Sequence, residues 1–269
     1  KSSHSFPTRR SSDLITSWSF SALQVFESCK YHSKLARLDR VPDLQPKTAA
    51  DRGTAIHLEA EDYVTGKGSF TNNLRFFKDD LTALAAHWTA GRVTCEEEWG
   101  FDRDWKVTDW KSAWLRLKLD AACHLSPQHA AIIDYKTGKR FGNEIKHAEQ
   151  LQLYGVTSLI RYPNLELTTN ELWYLDQNEL ATFNMKRSQM GKYIKLFDRR
   201  GRAMTEETEF KPNPNIHSCK YCPYGPAKQG DCKYGIDPND VTGSNSKPIK
   251  TLPVVEVDME KAKKLARFL

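Results

Sequence analysis

No apolar run in this sequence approaches the roughly 18–20 residues that a membrane-crossing helix needs. The longest greasy stretches, such as Ala130–Ile133, suit a buried strand instead. A secretory hydrophobic region is missing too, and so is any long internal repeat. These absences lead us to expect a soluble, cytoplasmic protein with no membrane partner. Cysteine is scarce, six in 269 residues, which excludes a disulfide-stapled miniprotein and fits a reducing compartment. Charge of one sign is not in large excess either. Forty basic residues stand against 34 acidic ones, a net +6 that permits a polyanionic partner without demanding one. The chain does not begin with Met, and residues 1–14 are Ser/Arg-rich without apolar periodicity. They read as a non-native or disordered leader whose wording resembles translated sequencing-adapter sequence, and Arg9-Arg10 lacks the hydrophobic stretch of a twin-arginine signal. Without that segment's three basic residues and one acidic residue the net charge is +4.

What is present suffices for a sizeable core: 39% hydrophobic residues, 11% aromatics and seven Trp, in a length that suits one large domain or two small ones. Ser17-Trp18-Ser19 precedes Phe20, Leu23, Phe26 and Tyr31 at helical spacing, so a serine-capped helix is expected there, with Cys29 near its end. Further helices are expected over Thr48–Val64 and Asn72–Ala90. Between Val93 and Leu175 the period changes. Val93–Phe101 reads as a strand, Leu115–Ala121 alternates leucines with Arg116, Lys118 and Asp120, and Ala130–Thr137 is apolar on both faces at its start. A helix over His147–Arg161, a strand over Leu167–Leu175 and a helix near Ser188–Arg202 follow. This order predicts an α/β fold, a mixed central sheet flanked by helices, with a Pro- and Cys-rich tail at 211–236. Residues 237–269 are expected to form a linker and a C-terminal helix, and Val257–Leu269 is the helical part.

Asp134-Tyr135-Lys136 ends the apolar run Ala-Ala-Ile-Ile. Positions two apart on a strand share a face, so the Asp134 carboxylate and the Lys136 ammonium point the same way. A carboxylate in that place can hold Mg²⁺ while the lysine orients a water and offsets charge growing on a phosphate. The tripeptide alone is weak, because Asp-x-Lys arises about once by chance in a chain of this length and recurs at Asp104, Asp109 and Asp231. Only Asp134, however, follows an alternating strand that ends in a second acid, Asp120, across a turn containing Pro127. Asp120 and Asp134 would then form half of a divalent-metal site; the bland alternative is a strand-end residue and a surface ion pair. On the helix after Gly53, His57 and Glu61 lie four apart and face one way, suited to metal contact; Gln150 and Tyr154 repeat that spacing further on. Trp105, Lys106, Trp110, Lys111 and Trp114 interleave aromatic and basic side chains, as a single-strand stacking surface does and as a packed loop also does.

The cysteines divide by spacing. Cys219-Lys-Tyr-Cys222 and Cys232 place three thiols in one Pro/Gly-containing segment, a bite suited to a metal but one ligand short, and Cys29 can supply the fourth. Cys95 and Cys123 stand alone in or beside strands and read as small buried apolar residues.

Taken in order, Gly53-Thr-Ala-Ile-His57, Leu119-Asp120, Ile133-Asp134-Tyr135-Lys136-Thr-Gly138 and Gln150-Leu-Gln-Leu-Tyr154 resemble the RecB-like and Cas4-like exonuclease branch of the PD-(D/E)XK nuclease superfamily. The resemblance runs from about Ser17 to Cys232 and implies a nuclease domain over 15–236 with a restriction-endonuclease-like core. It implies Mg²⁺ or Mn²⁺ on His57, Asp120, Asp134 and the Tyr135 backbone carbonyl, with Lys136 as the catalytic lysine supported by Gln150 and Tyr154. Its activity would be metal-dependent DNA exonuclease chemistry in recombination, repair or phage DNA processing, with DNA as substrate and a recombinase or helicase as a partner. For Cys29, Cys219, Cys222 and Cys232 it implies a [4Fe-4S] cluster stapling the two ends of the domain, although the long Cys222–Cys232 gap keeps Zn²⁺ open. The first acid here sits in Leu-Asp-Ala, without the Pro or Gly often found around it. Two other readings compete: a catalytically weak Cas4-like DNA-binding module of a recombination or CRISPR-adaptation complex, and a zinc-ribbon regulator resting on the cysteine tail alone.

Overall fold

The protein is described by a computed structural model, which covers residues 14–138, 140 and 142–238. The expected leader, Leu14 apart, and nearly all of the expected C-terminal linker and helix lie outside the described residues. In chain order the helices are α1 (Phe20–Ser28), α2 (Lys30–Arg37), α3 (Thr48–Val64), α4 (Lys78–Thr89), α5 (Glu144–Arg161), α6 (Met190–Thr205) and α7 (Ile216–Tyr221). The strands are β1 (Val93–Phe101), β2 (Val107–Thr108), β3 (Leu115–Ser126), β4 (His129–Lys136), β5 (Leu167–Tyr174) and β6 (Glu179–Lys186). The contacts divide the chain into two compact units, residues 47–197 and residues 14–46 with 198–238.

The larger unit is built on one six-stranded mixed sheet in the order β2-β1-β3-β4-β5-β6, with β4 and β5 parallel and every other neighbouring pair antiparallel. Parallel neighbours need a crossover, and α5 is that crossover. Ile56, Ala60 and Val64 recur at helical spacing on α3; with Leu81 and Leu84 of α4 they bury against Ala121, Cys123, Ala131, Ile133 and Tyr135 of β3 and β4. On α5, Leu151 packs with Leu172 and Tyr174 of β5. The result is the α/β, restriction-endonuclease-like architecture that the resemblance implied.

Two expectations need correction, and one strand lies outside them. The helix read over Asn72–Ala90 is a short 3₁₀ segment, Asn72–Phe77, followed by α4; Phe77, at φ -118° and ψ 27°, breaks the regular helix and stacks on Trp173 with centroids 5.2 Å apart. The serine-capped helix stops at Ser28, because Cys29 is extended (φ -157°, ψ 111°) and separates α1 from α2. β6 was not anticipated: Glu179–Lys186 mixes charged and apolar residues without clean alternation, and pairing with β5 makes it a strand.

In the smaller unit α1, α2 and α7 come from opposite ends of the sequence. Glu27 receives two hydrogen bonds of 2.7 Å from Arg200, Glu207 accepts from Lys30 at 2.5 Å, and the Tyr224 hydroxyl donates to the Val41 carbonyl at 2.8 Å.

Candidate active site

Backbone pairing between β3 and β4 runs as far as Ala121 opposite Ile133. Asp120 and Asp134 are the next residues in that register, so the two carboxylates face each other where the ladder stops. A side-chain bond replaces the missing ladder bond: the Tyr135 N–H donates to Asp120 Oδ2 at 2.5 Å. The other oxygen, Oδ1, lies 3.0 Å from His57 Nδ1, brought in by the packed stripe of α3. Gly53, one turn earlier on α3, has no room for a side chain, since a Cβ there would sit 2.9 Å from Thr137 Oγ1. That close approach draws α3 against the chain leaving β4.

Asp134 is 5% exposed and therefore needs partners. α5 supplies two of them. Tyr154 donates its hydroxyl to Oδ1 at 2.7 Å, and Gln150 Nε2 reaches the same oxygen at 3.2 Å and the Tyr154 oxygen at 2.7 Å. The Lys136 ammonium lies against Oδ2, which accepts no hydrogen bond. Sequence spacing had paired Gln150 with Tyr154 and Asp134 with Lys136; the crossover helix unites the two pairs.

Burial pushes the Asp120 carboxyl up, the Asp134 charge adds to the rise, and the His57 hydrogen bond opposes it. Burial draws the His57 imidazole down, but its bond to Asp120 and the charges of both carboxylates outweigh that, and the net movement is upward. Both directions describe a corner with surplus negative charge, able to retain a proton and suited to a cation. Burial, followed by the Asp134 charge, holds the Tyr154 phenol well above its ordinary value, so it remains a hydrogen-bond donor.

One acid escaped the sequence reading. Cys95 opposite Ala121 and Glu97 opposite Leu119 place Glu96 across from Asp120, on the far side from Asp134. Glu96 has φ 55°, a left-handed conformation costly for a non-glycine residue inside a strand. Its carboxylate pairs with Lys118, and ligand atoms of His57, Glu96 and Asp120 all lie within 4.8 Å of one another. Glu96-Glu97-Glu98 is a run in which alternation could not single out one acid. Glu61, a weaker expectation for direct or indirect metal contact, lies 3.8 Å from Lys67 and, like Asp134, is outside that group. Of the two readings of the Trp-rich run, the packed loop holds for Trp105 and Trp114, which are buried and meet edge to face at 6.1 Å, while Trp110 lies under Arg116.

The four cysteines singled out by spacing lie in the smaller unit and line one cavity, with Tyr31 and Tyr234 among its other walls. Burial raises the Cys222 thiol, and the neighbouring Cys232, Cys29 and Cys219 push it the same way. The Asn213 N–H donates to Cys29 Sγ at 3.5 Å. Among the described residues no three of these sulfurs fall within 4.8 Å of one another, so the site is wider than the His57–Glu96–Asp120 group. Cys123 is buried as expected, and Cys95 is half-buried with its thiol pushed up to about 12 by burial.

Comparison with known proteins gives a family and a set of distant folds. The model of the family described as "PD-(D/E)XK nuclease superfamily" matches residues 17–227. No curated protein matches the chain. Among solved structures, one from Eubacterium rectale that is named as a candidate exonuclease is 12% identical over 87% of this chain and 91% of its own, with a TM-score of 0.44. Another, SSO0001, is 16% identical over 78% of this chain and 84% of its own, with a TM-score of 0.40.

Proposed function

This chain belongs to the PD-(D/E)XK nuclease superfamily, and from that premise we propose that it is a divalent-metal-dependent DNA exonuclease acting in recombination, repair or phage DNA processing. One observation carries the proposal: Asp120, Asp134, Lys136, Gln150, Tyr154 and His57 meet where the β3–β4 ladder ends. Ligand atoms of His57, Glu96 and Asp120 lie within 4.8 Å of one another, and Asp134, outside that group, turns its buried Oδ2 toward Lys136; carboxylates and an imidazole are donors that fit Mg²⁺ or Mn²⁺. Asp120, Asp134, His57 and the Tyr135 carbonyl would hold the ion, with Glu96 beside them. When bound, such an ion lowers the pKa of water and offsets charge on the phosphate.

The chain's own residues do the rest. Tyr154 and Gln150 fix Oδ1 of Asp134, which keeps Oδ2 turned to Lys136 and would leave it available to a cation. Lys136 hydrogen-bonds the attacking water and faces the phosphate oxygens as they gain charge. His57 and the Tyr135 N–H hold Asp120 in one rotamer. Water gives up a proton to solvent as its oxygen bonds to phosphorus, the ester P–O bond breaks, and the departing alkoxide takes a proton back from solvent.

For the smaller unit we favour a [4Fe-4S] cluster on Cys29, Cys219, Cys222 and Cys232. The four thiols line one cavity, and the long Cys222–Cys232 gap keeps Zn²⁺ as the alternative.

The test is digestion of end-labelled linear duplex, single-stranded and circular DNA with Mn²⁺, with and without EDTA. Linear substrates should shorten from their ends, circles should survive, and EDTA should stop the reaction. Intact linear DNA, or Asp134→Ala and Lys136→Ala proteins as active as the parent, would overturn it. Anaerobically purified protein should absorb near 400 nm; a colourless sample with stoichiometric zinc refutes the cluster.

A further inference from the structure

His147 was not part of the sequence motif, yet it stands next to it. On α5, positions 147, 150 and 154 are spaced i, i+3 and i+7 and share one face, and the latter two hold Asp134. His147 therefore continues the active-site face one turn toward the start of the helix. Its partner comes from the sheet: Tyr174 is opposite Lys136 in the parallel β4–β5 register, is 1% exposed, and has its hydroxyl 2.5 Å from His147 Nδ1.

We propose that His147 is a DNA-contacting residue of this cleft, donating its Nε2–H to a substrate phosphate oxygen, with Tyr174 as the positioning residue that orients the ring. Three observations lead there. With the Tyr174 hydroxyl assigned as the donor to Nδ1, a neutral imidazole carries its hydrogen on Nε2. Tyr174 does keep its proton, since burial lifts it to about 12. Nε2 has no hydrogen-bond partner among the described residues, and the ring is half-buried. Of the nearby cations, Lys136 lies against Asp134 and Arg140 pairs with Glu179 at 3.1 Å, so neither is paired with the imidazole.

The charges facing the imidazole are Lys136 and Asp134 from β4 and Glu144 and Lys146 from α5, with Arg140 and Glu179 acting on Tyr174. Burial, then Lys136, holds His147 below its ordinary value, so at neutral pH it is a neutral donor and not a fixed cation. A phosphate drawn in by other groups would meet a directed hydrogen bond there, which gives position more than long-range attraction.

This inference rests on the nuclease reading for its substrate, so its test includes a readout that needs no catalysis. Binding of a fluorescein-labelled oligonucleotide in EDTA, and the kcat and KM of digestion with Mn²⁺, are measured for the parent, His147→Ala, His147→Gln, Tyr174→Phe and the Ala/Phe double variant. Losing one hydrogen bond to an anionic oxygen should weaken binding and raise KM roughly tenfold in His147→Ala, with kcat changed less. His147→Gln, which keeps a donor, should recover part of the loss. Tyr174→Phe should move the same way by less, and the double variant should be no worse than His147→Ala. The proposal falls if His147→Ala binds and digests like the parent. It also falls if adding Tyr174→Phe restores His147→Ala, which would mean that the imidazole serves only the buried phenol. A parent that binds DNA through His147 but never cleaves it sinks the nuclease reading and leaves this one standing. A parent that digests equally well without His147 does the reverse, and a parent that does neither sinks both.

Discussion

Asp134 shows how much of the chemistry is decided by single contacts. Its Oδ1 is shared between Tyr154 and Gln150, and its Oδ2 faces Lys136. Removing the Tyr154 hydroxyl leaves a buried acceptor with one weaker donor, so Tyr154→Phe should lower stability by about 1–3 kcal/mol in urea unfolding and reduce digestion roughly tenfold. Glu96 is held in a costly backbone conformation close to His57 and Asp120, which makes it a direct test of the donor set. Glu96→Gln should weaken Mn²⁺ binding about tenfold by calorimetry, the scale seen when partners of a metal site are altered; unchanged affinity would separate Glu96 from the site. Glu207 gives a test of pH. Burial acts to raise its carboxyl, but the bond from Lys30 and those from the Thr208 and Glu209 N–H groups prevail and hold it at about 2, against an ordinary 4.5. A lowered acid stabilises the fold above the unfolded value and loses that contribution as pH falls through the folded one. The Tm gap between the parent and Glu207→Gln should therefore be full above about pH 4.5 and close as pH approaches 2.

Among elements, α5 does the most. It connects two parallel strands, packs Leu151 on β5, and carries Gln150 and Tyr154 to Asp134. Its close approach depends on Gly155, where a Cβ would lie 3.0 Å from Asn170 Nδ2 and 3.1 Å from Met185 Cβ. Gly155→Val should overpack that contact, cost about 1–3 kcal/mol, and lower Tm and activity together as the helix shifts. Periodicity made α3 legible, because Ile56, Ala60 and Val64 bury one face at helical spacing. It failed at β6, which has no clean alternation, and at Asn72–Phe77, where the stack of Phe77 on Trp173 from β5 replaces regular helix with 3₁₀ turns. The Trp-rich stretch stayed open between a stacking surface and a packed loop for a related reason. Composition records aromatic and basic side chains, but not that Trp105 and Trp114 turn inward.

At the scale of the molecule, the two candidate sites belong to different compact units. The acidic site is made wholly within residues 47–197, and the four-cysteine cavity wholly within the other unit. Removal of metal from each should therefore be separable: EDTA should abolish digestion and, if the cavity holds an iron–sulfur cluster, leave absorbance near 400 nm in place over the same minutes. Simultaneous loss of both signals would contradict independent sites.

By itself, the sequence determined those features that local chemistry imposes. Spacing two apart on a strand aligned Asp134 with Lys136, spacing four apart on a helix aligned Gln150 with Tyr154, and a Cys-x-x-Cys bite singled out Cys219 and Cys222. The scarce cysteines sorted into four and two by position alone, and the four do share a cavity. Tertiary structure decided everything that depends on residues distant in sequence. It ended the β3–β4 ladder between Asp120 and Asp134, put Glu96 and not Glu61 beside His57, and set Tyr174 against His147. Periodicity reports which face of an element is buried, and only the pairing of elements says what that face meets.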